Sequence, residues 1–215
     1  MPERVAIVGA GYIGLEFAHL YAALGSRVTV VEMMPQILPG EDPDVAAALS
    51  SVLRKQNIDI HVNAQLEAIE QRGDEAVLIY FENAQRKEAA AQNVLLAVGR
   101  RSLADRLELE RIGVQCDRGF ITVNERMETS VPGIFAAGDC VGGFMLAHKA
   151  TREGEVAAVN ATGGQDAIPP TAIPRCLYTE PEVASVGLTE PQAREVHGDQ
   201  VRVGRYPVMP NGRAR

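Results

Sequence analysis

Three glycines near the start of the chain, Gly9, Gly11 and Gly14, stand at the spacing G-x-G-x-x-G directly after the apolar run Val5-Ala6-Ile7-Val8. A turn of this kind can hold a pyrophosphate. The first glycine permits a tight exit from a strand, the second leaves the backbone bare for phosphate oxygens, and the third lets the next helix pack closely. The phosphate charge then meets free N–H groups and the positive end of a helix dipole. A glycine-rich strand-to-helix turn can also be purely structural, so the spacing gains its force from the residues C-terminal to it. Leu15 to Leu24 reads as a helix, Gly25 suits its C-cap, and Arg27 to Val31 reads as a second strand ending in Glu32. In a complete βαβ unit an acid at that point binds a ribose 2′-hydroxyl; the plainer alternative is a solvated acid at a strand end. A carboxylate there repels a 2′-phosphate, and no arginine occurs between it and Arg54, which predicts NAD over NADP.

Other groups are less specific. Asp139 comes after Gly138 at the end of the apolar run Ile134 to Ala137, where an acid suits a ribose or ribityl hydroxyl or simply an Asp turn; spacing alone leaves both open. Arg100 can face phosphate or solvent, and Arg101 is expected to face solvent. His148 reads as a packed or surface histidine, and Lys149 as a solvated lysine. Cys116, Cys140 and Cys176 form no close pair, which gives no disulfide framework and no zinc site.

These groups need elements to position them. Asp42 is expected to cap a helix with Pro43 at its first position, running to about Gln56. Ile58 to Val62 alternates as a third parallel strand. Three segments, Leu66 to Glu70, Ala76 to Phe81 and Arg86 to Ala91, read as an antiparallel meander lying across the sheet edge. Asn93 to Val98 is predicted to be a buried strand ending at Gly99. Leu103 to Gly113 mixes a short helix with a turn; Phe120 to Val123 and Ile134 to Ala137 read as strands, the latter buried. A long helix opens at Met145 and runs to about Asn160. After the proline-bearing stretch 165–175 come strands at Cys176 to Thr179 and Val183 to Gly187, a short helix capped by Thr189, and a strand from Val201 to Val208. The fold class is α/β: a Rossmann-type parallel sheet with an antiparallel meander, then partial segments of further domains. The last segment, after the stretch 165–175, has too little apolar surface to close a core by itself, and an exposed apolar face is expected on residues 102–215.

Composition bounds the function. The net charge of −7 over 215 residues argues against a nucleic-acid footprint on this chain, and the pair Arg100-Arg101 is not a basic patch. No apolar run approaches a membrane span, and a strand begins almost at once after Met1, so neither a membrane segment nor a signal peptide is expected and a reducing cytoplasm is the default location.

Taken together, GAGYIGLEFA, VVE, LLAVGRR, SVPGIFAAGDCVGGFMLAHKATREG, IPRCLYTEPEVASVGLTE and YPVMPNGRAR resemble the pyridine nucleotide-disulfide oxidoreductases, and within them most closely the dihydrolipoamide dehydrogenases, along essentially the whole chain. The resemblance implies an NAD-binding domain over residues 1–101, a returning part of an FAD-binding domain over 102–166, and the start of a dimerisation domain over 167–215. It implies that Gly9, Ala10, Gly11, Tyr12, Ile13, Gly14, Leu15 and Glu16 hold NAD together with Glu32, that Leu66 lies by the adenine and that Gly99 lines the nicotinamide end. It also implies that Asp139 binds the flavin ribityl chain and that Met145, Leu146, Ala147 and His148 meet the isoalloxazine. Electrons would pass from a dihydrolipoyl-bearing protein through a disulfide and FAD to NAD, in a homodimer. Ser102 stands where the family usually has proline. The family's redox cysteines four residues apart, its first FAD-binding glycine motif and its His-Glu pair have no counterpart in these residues, so the chain by itself is expected to be a piece without turnover. Two alternatives remain: a sister disulfide or mercuric reductase, and a stand-alone nucleotide-binding module without chemistry.

Overall fold

Runs rich in valine and isoleucine form the strands of the computed structural model, which describes residues 1–169 and 173–207. Strands β1 (Arg4–Val8), β2 (Arg27–Val31) and β3 (Ile58–His61) alternate with helices α1 (Tyr12–Ala23) and α2 (Pro43–Lys55). A meander comes next, β4 (Ala64–Arg72), β5 (Glu75–Glu82) and β6 (Gln85–Ala91), and the chain then re-enters the sheet as β7 (Asn93–Leu96). The sheet order is β3-β2-β1-β7, all parallel, with Ile7 opposite Val30 and Leu95.

Side chains alternate across a strand, so β1, β2 and β7 serve two cores. Val5, Ile7, Val28, Val30, Ile58 and Ile60 point to one face and pack on Leu15 and Ala18 of α1 and Leu49 and Leu53 of α2. Ala6, Val8 and Val31 point to the other face and pack on Leu78, Tyr80 and Ala91 of the meander. The sheet is therefore the middle layer of a three-layer sandwich, with helices on one side and the meander on the other, so the meander covers a face of the sheet and does not lie across its edge as expected. Helix α1 stops as its sequence suggests: Gly25 at φ +95° donates to Ala22 O, and Ser26 donates to Tyr21 O, the paired bonds of a Schellman cap.

The rest is less regular. Two 3-10 turns, Ala104–Leu107 and Leu109–Ile112, precede a short hairpin of β8 (Cys116–Asp117) and β9 (Phe120–Ile121). Helix α3 (Ala147–Ala161) buries Lys149, Glu153, Val156 and Asn160 along one stripe. Strands β10 (Pro174–Leu177) and β11 (Val183–Val186) pair antiparallel, and α4 (Glu190–His197) begins at Thr189 with a complete capping box to Gln192.

Several expectations need correction. Asn93 to Val98 is not a buried strand: β7 is the sheet edge and ends at Leu96, and Leu96 and Val98 are 59% and 71% exposed. Leu95 and Val94 still pack on the two cores, but no described element covers the faces on which Leu96 and Val98 stand. Ile134 to Ala137 is not a strand; only Phe135 makes an isolated bridge, to Glu128, because no described strand lies alongside to complete a ladder. Phe120 to Val123 is a strand only to Ile121. Helix α3 opens at Ala147, two residues after Met145. Asp42 occupies the N-cap position of α2 without a capping bond, since its Oδ2 accepts from the Glu190 N–H at 2.8 Å instead. Val201 to Pro207 adopts no strand, and Val208, with the remainder of YPVMPNGRAR, lies outside the described residues.

Candidate functional site

The carboxyl ends of β1 and β2 and the start of α1 enclose the glycine turn. Each of the three glycines faces a different constraint. A methyl group at Gly9, whose φ is +100°, would meet Ala97 O at 2.4 Å; at Gly14 it would meet Gly9 O at 2.0 Å. At Gly11, with an ordinary φ of −77°, it would meet nothing within 4 Å. The first and third glycines are thus required by close backbone approach. The second, the N-cap of α1, borders open space, so its bare backbone can be reached from outside the chain. Leu15 is the first residue of α1 whose N–H closes a helical bond, to Gly11 O at 3.0 Å. The N–H groups of Tyr12, Ile13 and Gly14 precede it and by helix geometry have no intrahelical acceptor.

Glu32 sits at the end of β2, only 6% exposed. Its Oε2 accepts from Ala10 N at 2.6 Å and its Oε1 from Met34 N at 2.8 Å. The carboxylate therefore bolts the glycine turn to the strand end, and each oxygen keeps a second lone pair for a hydroxyl. Leu38 N donates to Ala10 O at 2.9 Å, so both polar groups of the Ala10 backbone are held by the strand end and the loop after it. Beyond Glu32 opens a cleft of about 760 Å³ lined by Met33, Asn63, Gln65, Phe81, Asn83 and Ala84. All six side chains are neutral, so the lining offers no cation to a 2′-phosphate.

The remaining expected site residues are spread around this turn. Ala10 and Leu15 are fully buried, so their side chains belong to the core and only backbone can serve a ligand. Ile13 is exposed. Glu16 accepts from Tyr178 N at 2.9 Å, which brings the segment after β10 to the mouth of the crevice. Leu66 packs beside the second core, against the sheet rather than into the cleft. Gly99, at φ +99°, has open space around it.

On the second half, Asp139 pairs with Arg100 at 2.6 Å, and Arg100 also donates to Met145 O at 2.7 Å. Arg100 thereby joins the β7 side of the turn to the residues that precede α3. Met145 and Leu146 lie before the helix, with Leu146 as its N-cap, and Ala147 and His148 begin it. His148 Nε2 donates to Pro174 O at 2.8 Å, which fixes the proton on that nitrogen. Lys149 is not solvated as expected: it is 8% exposed, its Nζ reaches Glu153 Oε1 at 2.5 Å and donates to Gly142 O at 3.0 Å. Glu153 Oε2 in turn accepts from Gly138 N at 2.8 Å, so one buried pair clasps both ends of the Gly138–Gly142 loop.

A second buried ion pair was not anticipated from the sequence. Arg175 on β10 donates to Glu41 at 2.6 Å, and the two side chains are 4% and 2% exposed. Tyr12 of the glycine turn donates its hydroxyl to the same carboxylate. Burial raises the Glu41 pKa, but the hydrogen bonds from Arg175 and Tyr12 outweigh it and hold the group below its usual value. Burial and the Glu41 hydrogen bond push the Tyr12 phenol well above its usual value. The available signal was a charged residue in an otherwise apolar strand, Ile173-Pro174-Arg175-Cys176-Leu177, where alternation puts Arg175 on the inward side with Leu177. Among the described residues, no cluster of His, Cys, Asp or Glu could hold a metal ion, and no helix is long and apolar enough to cross a membrane.

Comparison with known proteins adds to this geometry. Residues 1–154 match the family described as pyridine nucleotide-disulphide oxidoreductase, and residues 173–215 match the dimerisation domain of the same family. The chain is 40% identical over its whole length to a dihydrolipoyl dehydrogenase of Bacillus subtilis and 43% identical to one of Thermus scotoductus, covering 46% and 47% of those proteins. The fold superposes on LpdA of Mycobacterium tuberculosis with a TM-score of 0.87 at 30% identity, over 99% of this chain and 46% of that one. It also superposes on RclA, an HOCl-induced flavoprotein disulfide reductase of Escherichia coli, with a TM-score of 0.81 at 30% identity, over 99% and 48%. The chain thus spans about half the length of the relatives it matches.

Proposed function

This chain belongs to the pyridine nucleotide-disulphide oxidoreductase family, and from that premise we propose that it binds NAD at the glycine turn, as part of a flavoprotein that oxidises dihydrolipoyl groups. The carrying observation is the contrast among the three glycines. Two are packed against backbone, and the one that faces open space lies beside unpaired helix N–H groups. The residues fit the ligand: bare backbone and the α1 dipole for the diphosphate, Glu32 for the adenosine ribose, and the neutral cleft beyond Met33 for the adenine. Glu16 and Gly99 lie toward the nicotinamide end, and Leu66 supports the adenine side from the core.

On the same reading, residues 1–101 form the NAD domain, 102–166 return to an FAD domain and 167–215 begin a homodimer interface. Asp139 and the start of α3, from Met145 to His148, would face FAD, which once reduced by the dithiol would supply hydride to NAD. The Asp139–Arg100 pair leaves the carboxylate 43% exposed, open to a ribityl hydroxyl. The donor would be a dihydrolipoyl-bearing protein. The 215 residues contain no two cysteines four apart, so this chain alone is expected to bind NAD without oxidising dihydrolipoamide. A second reading, a sister disulfide reductase, is favoured by the similarity to RclA.

Calorimetric titration of the chain with NAD and NADP tests the nucleotide assignment. Saturable NAD binding with weaker NADP binding is expected; absence of NAD binding, or preference for NADP, would overturn it. Dihydrolipoamide-dependent NAD reduction by a full-length protein carrying this segment distinguishes the two substrate readings.

A further inference from the structure

We propose that Arg175 is a positioning residue for the dinucleotide: from β10 it holds the glycine turn in its binding conformation through Glu41 and Tyr12. The proposal rests on the nucleotide reading above and deepens it.

The contacts form one chain of restraint. Arg175 donates to Glu41 through Nε at 2.6 Å and through Nη2 at 3.4 Å, and its Nη1 donates to Gly187 O at 3.2 Å. Its guanidinium lies 4.7 Å from the centre of the Phe144 ring. A guanidinium held by carboxylate, carbonyl and ring together has little freedom left. Glu41 closes the loop that begins at Glu32: its N–H donates to Leu38 O, and Leu38 N donates to Ala10 O. Tyr12 adds a direct link, because its hydroxyl ends on Glu41 while its backbone lies between Gly11 and Ile13. Arg175 therefore fixes Glu41, Glu41 fixes Tyr12 and the loop, and these fix the peptide units that meet the diphosphate.

A buried ion pair is a poor source of net stability, because desolvation offsets the attraction; registry is its best-attested use. Stability alone would be served as well by two apolar side chains. A turn whose N–H groups must already point at an incoming diphosphate gains from rigidity, since ordering it at the moment of binding would weaken affinity.

The test uses the 215-residue chain, NADH fluorescence titration and thermal unfolding in parallel. Tyr12→Phe removes one hydrogen bond and keeps the ring. Arg175→Met strands Glu41, and Arg175→Lys restores the charge. The double variant Glu41→Leu/Arg175→Met replaces the pair by apolar side chains. Expected are a five- to tenfold higher Kd, a change of about 1 kcal/mol, for Tyr12→Phe and Arg175→Met, and partial recovery with Arg175→Lys. The double variant regains most of the unfolding temperature lost by Arg175→Met but keeps the raised Kd. If it regains both, or if Tyr12→Phe binds NADH like the parent, the pair is only structural and the proposal falls. Failure of the parent chain to bind NADH would instead refute the nucleotide reading, and this one with it. Tyr12→Phe leaves all buried charges paired, so it decides the matter even if the Arg175 variants do not fold.

Discussion

Substituting alanine at each glycine of the turn separates packing from ligand binding. At Gly14 the new methyl carbon would lie 2.0 Å from Gly9 O, and since the obstacle is backbone it cannot swing aside. Overpacking of this kind costs about 3 kcal/mol, and for a chain of this size that corresponds to a fall in Tm of roughly 6–12 °C. At Gly11 the φ of −77° already suits alanine and nothing lies within 4 Å. Alanine is a poorer N-cap than glycine by up to about 1 kcal/mol, and the stiffer unfolded chain returns roughly 0.4–1 kcal/mol. Gly11→Ala should therefore unfold within about 3 °C of the parent. Its methyl group nevertheless stands where diphosphate oxygens must approach, so NADH affinity should drop at least about tenfold, or 1.4 kcal/mol. Thermal unfolding by circular dichroism and NADH titration on the same samples give both numbers. Undiminished NADH binding by Gly11→Ala would refute the assignment of the open space to a diphosphate. A Gly14→Ala protein as stable as the parent would refute the packing account.

Glu32→Ala should lower unfolding free energy by about 2 kcal/mol in urea titrations, because the Ala10 and Met34 N–H groups lose their acceptor, and it should narrow the preference for NAD over NADP. Lys149→Met should cost about 3–5 kcal/mol by stranding Glu153 in the interior, while Lys149→Met/Glu153→Leu should recover much of that loss in the same assay. In acid, Glu41 supplies stability that is complete above its ordinary value near 4.5 and is lost as pH falls through its lower folded value. Glu41→Leu/Arg175→Met should flatten that part of the stability–pH curve. In alkali, Tyr80 is pushed up to about 12, by burial first and then by Glu82 and Asp59, so the stability it supplies should be lost as pH rises from 10 toward 12. Tyr80→Phe should remove that alkaline loss, measured by urea unfolding at each pH.

Local chemistry determined the first half of the molecule. The period of the apolar residues set which strand positions face each layer, the glycines at 9, 11, 14 and 25 marked the turn and the cap, and Asp42, Pro43 and Thr189 marked helix starts. These features depend on neighbours within a few residues, which the sequence lays side by side. The meander and the parallel sheet were legible too, because β-runs separated by helices or by short turns leave few ways to pair. Cover and partnership depend on residues far apart, and these only the tertiary structure decided. Leu96 and Val98 carry the composition of buried strand residues, yet burial needs a layer over the face as well as a place in the sheet: Ile58 and Ile60 are buried on the edge strand β3 because helices cover them, and Leu96 and Val98 have no such cover. Lys149 read as solvated, yet Glu153 and the Gly138–Gly142 loop enclose it. Glu41 and Arg175 stand 134 residues apart, and nothing local could announce that they share a buried bond with Tyr12. Charge is tolerated in an interior only where the fold brings a partner to it, and that meeting is a property of the whole chain.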